Sequence, residues 1–297
     1  MEEDIFSCIG EEDIFYNNDN QVFQEKLKKY SDYEELFIKR ATHNKTREKI
    51  KLIINESYKK CKKYLDKNFI SIFPKKGEFY GRLWEIFLCD FLITKKFNLI
   101  EKTKKQENGT PDFLVEYEGK KIRIEARTPA EHSFIENLGN KTYNLLDISI
   151  PRYKRLNKGF CDKANHWEKV YRKNGCSEND IFIIAIDGNQ VDSWSTDKGI
   201  LSILYGIGLT QIDIHGNISY QKLSKIGDNI DVGYFTNSSY SHISGVIYLE
   251  GEINFLDNDN MFVENNSFQF IPNITAKNPV PELFIKQLGL YIPINFD

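Results

Sequence analysis

The run DIFIIAIDG, residues 180–188, most narrows what this chain can become. From Ile181 to Ile186 it holds no polar side chain. A half-buried strand alternates, whereas a continuous apolar run of this length suits a strand covered on both faces. Two helical patterns precede it and can provide that cover. EFYGRLWEIFLCDFLITKKF (78–97) reads as a strongly apolar helix, with Lys95 and Lys96 near its end, where cations suit the helix dipole. RLNKGFCDKANHWEKVYRKNG (155–175) reads as a basic helix ended by Gly175, after a loop around 128–150. Short strand candidates lie between the two at 98–103, 111–117 and 120–127. Helix, three strands, helix, strand is an α/β core.

The flanks differ from this core. Residues 21–70 carry apolar side chains at three- and four-residue spacing and read as helical, with Pro74 and Gly77 as punctuation. From about residue 200, LTQIDIHGNISYQ reads as a hairpin around His215-Gly216 and HISGVIYLEG as a strand, while LDNDN and IPNITAKNPVPELF read as loops or turns. These late strands either extend the core sheet or form a small β-rich appendage. The expected organisation is a helical N-terminal extension (1–77), a core (78–190) and a β-rich C-terminal extension (191–297) continuous with it.

Composition removes several classes. No window reaches 18 apolar residues without charge, which argues against a membrane span, and the acidic start MEEDIFSCIGEED is unlike a secretory signal. Cys8, Cys61, Cys89, Cys161 and Cys176 are scattered, and the five histidines form no HxxxH or HExxH pattern. Reduced thiols in the cytoplasm are expected, with little support for zinc or cysteine–histidine catalysis. The formal net charge of −3 hides an asymmetry. Residues 151–175 carry eight bases and two acids, whereas 176–297 carry five bases and 15 acids. A local basic stretch on an acidic chain suits a polyanion partner, although a solvated helix face has the same composition. Trp167 and Tyr171, at near-helical spacing on that stretch, are expected to pack against the sheet rather than stack on bases; His166 beside them reads equally as a surface residue.

The chemistry concentrates in GTPDFLVEYEGKKIRIEART (109–128). Ile122, Ile124 and Ala126 alternate with Lys121, Arg123, Glu125 and Arg127, giving an apolar face and a charged one. If Glu118-Gly119 is a two-residue turn, paired positions sum to 237 and Asp112 lies opposite Glu125, with Cβ atoms roughly 5 Å apart. Two carboxylates so placed repel unless a cation lies between them or one keeps its proton. Oxygen-only ligands suit Mg²⁺. Two alternatives stay open. Arg123 and Arg127 can neutralise Glu125 on a solvent-facing strand, and a three-residue loop would set Asp112 opposite Ala126. In the helix at 78–97, Glu85 sits among Leu83, Trp84, Ile86, Phe87 and Leu88. Such a carboxylate needs a partner, either Arg82 three residues earlier or a metal.

Helix Glu85, Pro111-Asp112 and Glu125-x-Arg127, in this order, resemble the PD-(D/E)xK nuclease superfamily, with its restriction-endonuclease-like fold. More narrowly, GRLWEIFLCDFL followed by GTPDFLVEYEGKKIRIEA is similar to a bacterial branch with a helix WE motif, GPDF…IEA strands and a later R-x7-K helix, matched here by Arg155 and Lys163. NPVPELF is like the end of that branch. The resemblance covers residues 78–190 well, the tail weakly, and 1–77 not at all.

The resemblance implies a restriction-endonuclease-like core with a mixed central sheet, and Mg²⁺- or Mn²⁺-dependent phosphodiester hydrolysis of nucleic acid, DNA before RNA, in restriction or another defence role. Asp112 and Glu125 would be metal-binding catalytic carboxylates and Glu85 a further acid. Arg155 and Lys163 would contact substrate phosphate, with Lys121 and Arg82 as additional phosphate-binding candidates. One position departs from the pattern. Arg127 stands where the family has lysine, and arginine stays protonated and cannot act as a base. Lys163 on the helix is the preferred replacement, ahead of Lys121. An inactive protein that binds nucleic acid or a protein partner is the alternative, and a homodimer stays open.

Overall fold

The computed structural model describes residues 44–73, 77–102, 109–129, 145–188, 199–212, 218–227, 229–250 and 268–290. The helical reading of 21–43, the turn at His215-Gly216, the LDNDN segment and Cys8 lie outside the described residues. The chain is α/β, with a mixed six-stranded sheet in the order β1-β2-β3-β4-β9-β10. It divides into two compact units. Among the described residues, the first holds everything up to Lys102 together with Asp112–Leu114, and the second holds Gly109–Pro111 and everything from Val115 onward.

In the first unit, α1 (Asn44–Cys61), the single turn α2 (Phe69–Ile72) and α3 (Phe79–Thr94) precede the short strand β1 (Asn98–Leu99). Helix α3 is apolar nearly all round, as its sequence predicts, with Leu83, Trp84, Ile86, Phe87, Leu88 and Cys89 all buried. A helix so enclosed must satisfy any polar group it carries. Asp90 does so by accepting hydrogen bonds from Ser57 Oγ at 2.9 Å and Lys60 Nζ at 3.3 Å, both on α1. A chain of aromatic contacts, Tyr58 to Phe69 to Phe73 to Phe79, fixes α1 and α2 to the start of α3.

The second unit is built on β2 (Phe113–Tyr117, of which it holds Val115 onward), β3 (Lys120–Arg127) and β4 (Ile181–Asp187). Strands β3 and β4 run parallel, pairing Arg123 with Phe182 and Glu125 with Ile184. Every residue of β4 is buried, as an apolar run without alternation requires. The connection is α4 (Leu145–His166), followed by a π-helical turn (Trp167–Tyr171) and a 3₁₀ turn that ends at Gly175 with φ 94°. The helix therefore starts within the segment read as a loop to residue 150, and passes through Pro151. Its inner side (Leu156, Phe160, Ala164) and Trp167 join Phe182, Ile184 and Ile186 in one core. Trp167 stacks on Phe182 with ring centroids 4.6 Å apart, the packing its spacing predicts.

The C-terminal half divides between the two arrangements the sequence leaves open. Strand β9 (Gly245–Leu249) joins the core sheet parallel to β4, and β10 (Phe268–Pro272) pairs antiparallel to β9. Outside that sheet, α5 (Gly199–Tyr205) leads to β5 (Ile207–Ile212) and β6 (Ile218–Lys222), an antiparallel pair. β7 (Lys225–Ile226) and β8 (Ile230–Asp231) form a second small pair. ELF opens a helix rather than a loop: α6 (Glu282–Leu288) buries Phe284 edge-on against Tyr117. Among the described residues no helix is long and apolar enough to cross a membrane.

Gly206, between α5 and β5, has φ 67°, and a Cβ there would lie 2.3 Å from the Leu223 carbonyl oxygen. Backbone cannot yield as a flexible side chain can. Gly206→Ala is expected to lose roughly 2–3 kcal/mol, read as a lower urea midpoint at unchanged slope.

Candidate functional site

The hairpin decides the first of the open questions. Glu118 and Gly119 alone connect β2 to β3, and both have positive φ, 48° and 74°. Two left-handed residues form the primed turn that matches strand twist. This is the two-residue connection required by the 237 register, and not the three-residue loop.

The second question was whether the charged face of β3 meets solvent. It does not: Arg123 is 8% and Glu125 2% exposed, while Lys121 at the strand's start is exposed. Helix α4 lies over this face. A Cβ on its Gly159 would be in ordinary contact with Pro129 and with Arg127 Cγ. One turn further on, Lys163 Nζ donates a hydrogen bond to Glu125 Oε1. Lys163 keeps 23% of its side-chain surface, so an ammonium reaches the buried carboxylate from a partly open position. Arg123 does not neutralise Glu125. Its Nε donates to Asp180 Oδ2 at 2.5 Å, and Asp180 also accepts from the Ser177 backbone at 3.0 Å. Arg127 is half-buried, and its Nε finds no hydrogen-bond acceptor among the described residues. Arg155, eight residues before Lys163, is half-buried on α4. Asp187, at the end of β4, is buried, with Thr128 Oγ1 at 3.5 Å.

The first unit gathers a second group of charges. Arg82 Nη1 donates to both oxygens of Glu85, at 2.9 and 3.0 Å. Its guanidinium also lies 3.9 Å from Asp66 and 3.6 Å from Glu78. Lys102 donates to Asp66 at 2.7 Å. Asp112 is half-buried, and its charge is felt by Glu85, Arg82 and Lys102. Burial first, then the negative charge of Asp112, pushes the Glu85 carboxyl up to about 8, with Arg82 and Lys102 opposing. Burial works against the charge of Lys102, yet Asp112 and Asp66 outweigh it and hold its ammonium above its ordinary value.

Thus Lys163 meets Glu125, Arg82 meets Glu85, and Asp112 acts electrostatically on the Glu85 group. Arg82, read as a phosphate contact, is engaged by carboxylates. Among the described residues, no three His, Cys, Asp or Glu side chains form a ready metal cage. Within the first unit, Glu85 and Asp112 interact electrostatically and present only carboxylate oxygens, a donor type that suits a hard divalent cation. A cation beside Asp112 and Glu85 would oppose the charge repulsion that raises Glu85. Sequence reasoning missed Lys102 and Asp66, since neither stands in a motif, and the strand candidate 98–103 marked Lys102 only as backbone. It also missed the Arg123–Asp180 pair, whose members are 57 positions apart.

The Glu85 shift carries a sign. Between the ordinary carboxylate value and about 8, the folded state holds a proton that the unfolded chain has released. Stability therefore falls as pH rises through that window, and is unaffected below it. In metal-free protein, Glu85→Gln is expected to raise stability at pH 7 by roughly 3 kcal/mol and to leave it unchanged near pH 4, measured by urea unfolding at both.

Comparison with family models, with curated proteins and with solved structures finds no match to this chain.

Proposed function

We propose that this chain is a divalent-metal-dependent phosphodiesterase acting on nucleic acid, with a restriction-endonuclease-like core. The observation that carries the reading is the Lys163–Glu125 contact. The strand position two residues after the glutamate holds Arg127, and the helix provides a lysine to the same glutamate. The order α3, β1, β2, β3, α4, β4 is the helix–strand–strand–strand–helix–strand order expected of such a core, and the primed turn at 118–119 favours the paired register of Asp112 and Glu125.

Asp112 and Glu125 would hold Mg²⁺ or Mn²⁺, with Glu85 as a further acid. A divalent cation, when bound, provides polarisation of the phosphate and a water acidified toward neutral pH. Lys163 orients Glu125 through its N–H···O bond and brings a positive charge to the phosphate oxygens. Arg127 adds a second positive charge on β3. Arg155 extends the same helix toward the phosphate, and Lys121 offers an exposed cation on β3.

The test is cleavage of plasmid, single-stranded DNA and RNA with Mg²⁺ and with Mn²⁺, beside a chelator control and a Glu125→Ala protein purified in parallel. Metal-dependent cleavage by the parent alone is the expected result, with DNA the preferred substrate. No turnover of any substrate by folded protein would overturn it. That outcome would leave the second reading, a nucleic-acid-binding protein without catalysis. It is favoured by a different observation: Arg127 stands two residues after Glu125, where the family pattern has lysine.

A further inference from the structure

Lys154, Lys158, Lys169 and Lys173 are exposed on α4 and the turns that continue it. None of the four makes an ion pair among the described residues; the one basic residue of the turns that does is Arg172, which binds Glu168 at 2.9 Å and Glu178 at 2.6 Å. The lysines follow one another at intervals of four, eleven and four residues. These are close to one, three and one helical turns, so the four share a face. The π-helical turn takes in an additional residue there, and Trp167 and Tyr171 remain inside against Phe182, at 4.6 and 6.0 Å. The acids on this stretch are exposed Asp162 and the already paired Glu168.

A row of unpaired like charges repels itself and gains from a polyanion laid along it. From Lys154 to Lys173 the row is about 28 Å long, the rise of roughly eight base pairs. Proteins that hold single strands add aromatic side chains on which bases stack. Here all three large aromatics of the segment, Phe160, Trp167 and Tyr171, face the core, 0%, 2% and 4% exposed, and the exposed ring between Lys154 and Lys173 is His166. Lys163 leaves the same helix between Lys158 and Lys169, toward Glu125.

We propose that this lysine row, on the side of the helix turned away from the sheet, binds the phosphate backbone of duplex DNA. The assignment names the substrate of the proposed nuclease, and rests on that reading only for its catalytic meaning. The test compares the parent with a Lys154→Ala/Lys158→Ala/Lys169→Ala/Lys173→Ala protein. Binding of a labelled duplex of about 20 base pairs, and of one of its strands alone, is followed by anisotropy across a salt series. EDTA keeps cleavage out of the measurement, and melting curves confirm that the variant is folded.

The parent is expected to prefer the duplex. The variant should lose at least tenfold in affinity near 0.1 M salt, and its slope of log affinity against log salt should be shallower by about 3–4. Equal affinity and slope for the two proteins, no duplex binding by the parent, or a single strand held as tightly as the duplex would each overturn it. If the parent cuts nothing in Mg²⁺ and the slopes still differ, the nuclease reading falls and this one stands. If the parent cuts and the slopes coincide, the nuclease reading stands and the lysine row falls.

Discussion

Glu125→Gln is expected to reduce cleavage roughly 10³-fold or more while melting within a few degrees of the parent. The two halves of this prediction have different causes. Activity falls because an amide is a poor ligand for a hard divalent cation, and carries no charge to fix it. Stability holds because the amide oxygen can still accept the Lys163 N–H, which in the parent goes to Glu125 Oε1. Lys163 also keeps 23% of its side-chain surface, so water can solvate it once the carboxylate charge is gone. The measurement is an initial rate in Mg²⁺ beside a thermal melt without it. A variant that cuts at the parent rate would remove Glu125 from the site. One that neither cuts nor folds would show that the pair's role is structural, and Lys163→Met would then be equally damaging to the fold.

The parts of this molecule that were legible in the sequence are those written in local patterns. The unbroken apolar run at Ile181–Ile186 required a strand covered on both faces, and β4 is buried along its whole length. The Glu118-Gly119 dipeptide implied a two-residue turn, although Glu must take a positive φ of 48° to make it. The spacing of Trp167 and Tyr171 implied an inward face, which the stacking on Phe182 fulfils. What stayed hidden depends on contacts between distant positions. Nothing in KKIRIEAR says that Arg123 is matched by Asp180 rather than by Glu125 beside it, because the choice is made by β3 and β4 running parallel. Nor does local sequence show that the charged face of β3 is roofed by α4, since alternation of charge and apolar residues is also the pattern of a wet face. Lys102 and Asp66 belong to no motif, and meet only through the packing of the first unit.

Asp180→Ala is expected to be the most destabilising single change considered, at about 3–5 kcal/mol, with catalysis lost only through unfolding. Asp180 and Arg123 are 5% and 8% exposed, and their bond is 2.5 Å long. Removing the acid leaves a buried guanidinium charge with no carboxylate partner and little access to water. It also removes the acceptor for the Ser177 N–H, in the turn that feeds β4. The C-terminal segment leans on the same turn: Asn278 Nδ2 donates to the Glu178 carbonyl at 2.6 Å and to the Asp180 carbonyl at 3.3 Å. Unfolding in urea should show a lower midpoint for Asp180→Ala, and a companion Arg123→Met/Asp180→Leu protein should recover most of the loss, since an apolar pair leaves no buried charge. Recovery would place the cost in the uncompensated arginine. If Asp180→Ala costs under about 1 kcal/mol, Arg123 has another partner in solution, and Glu125 on the same strand face is the acid to test next.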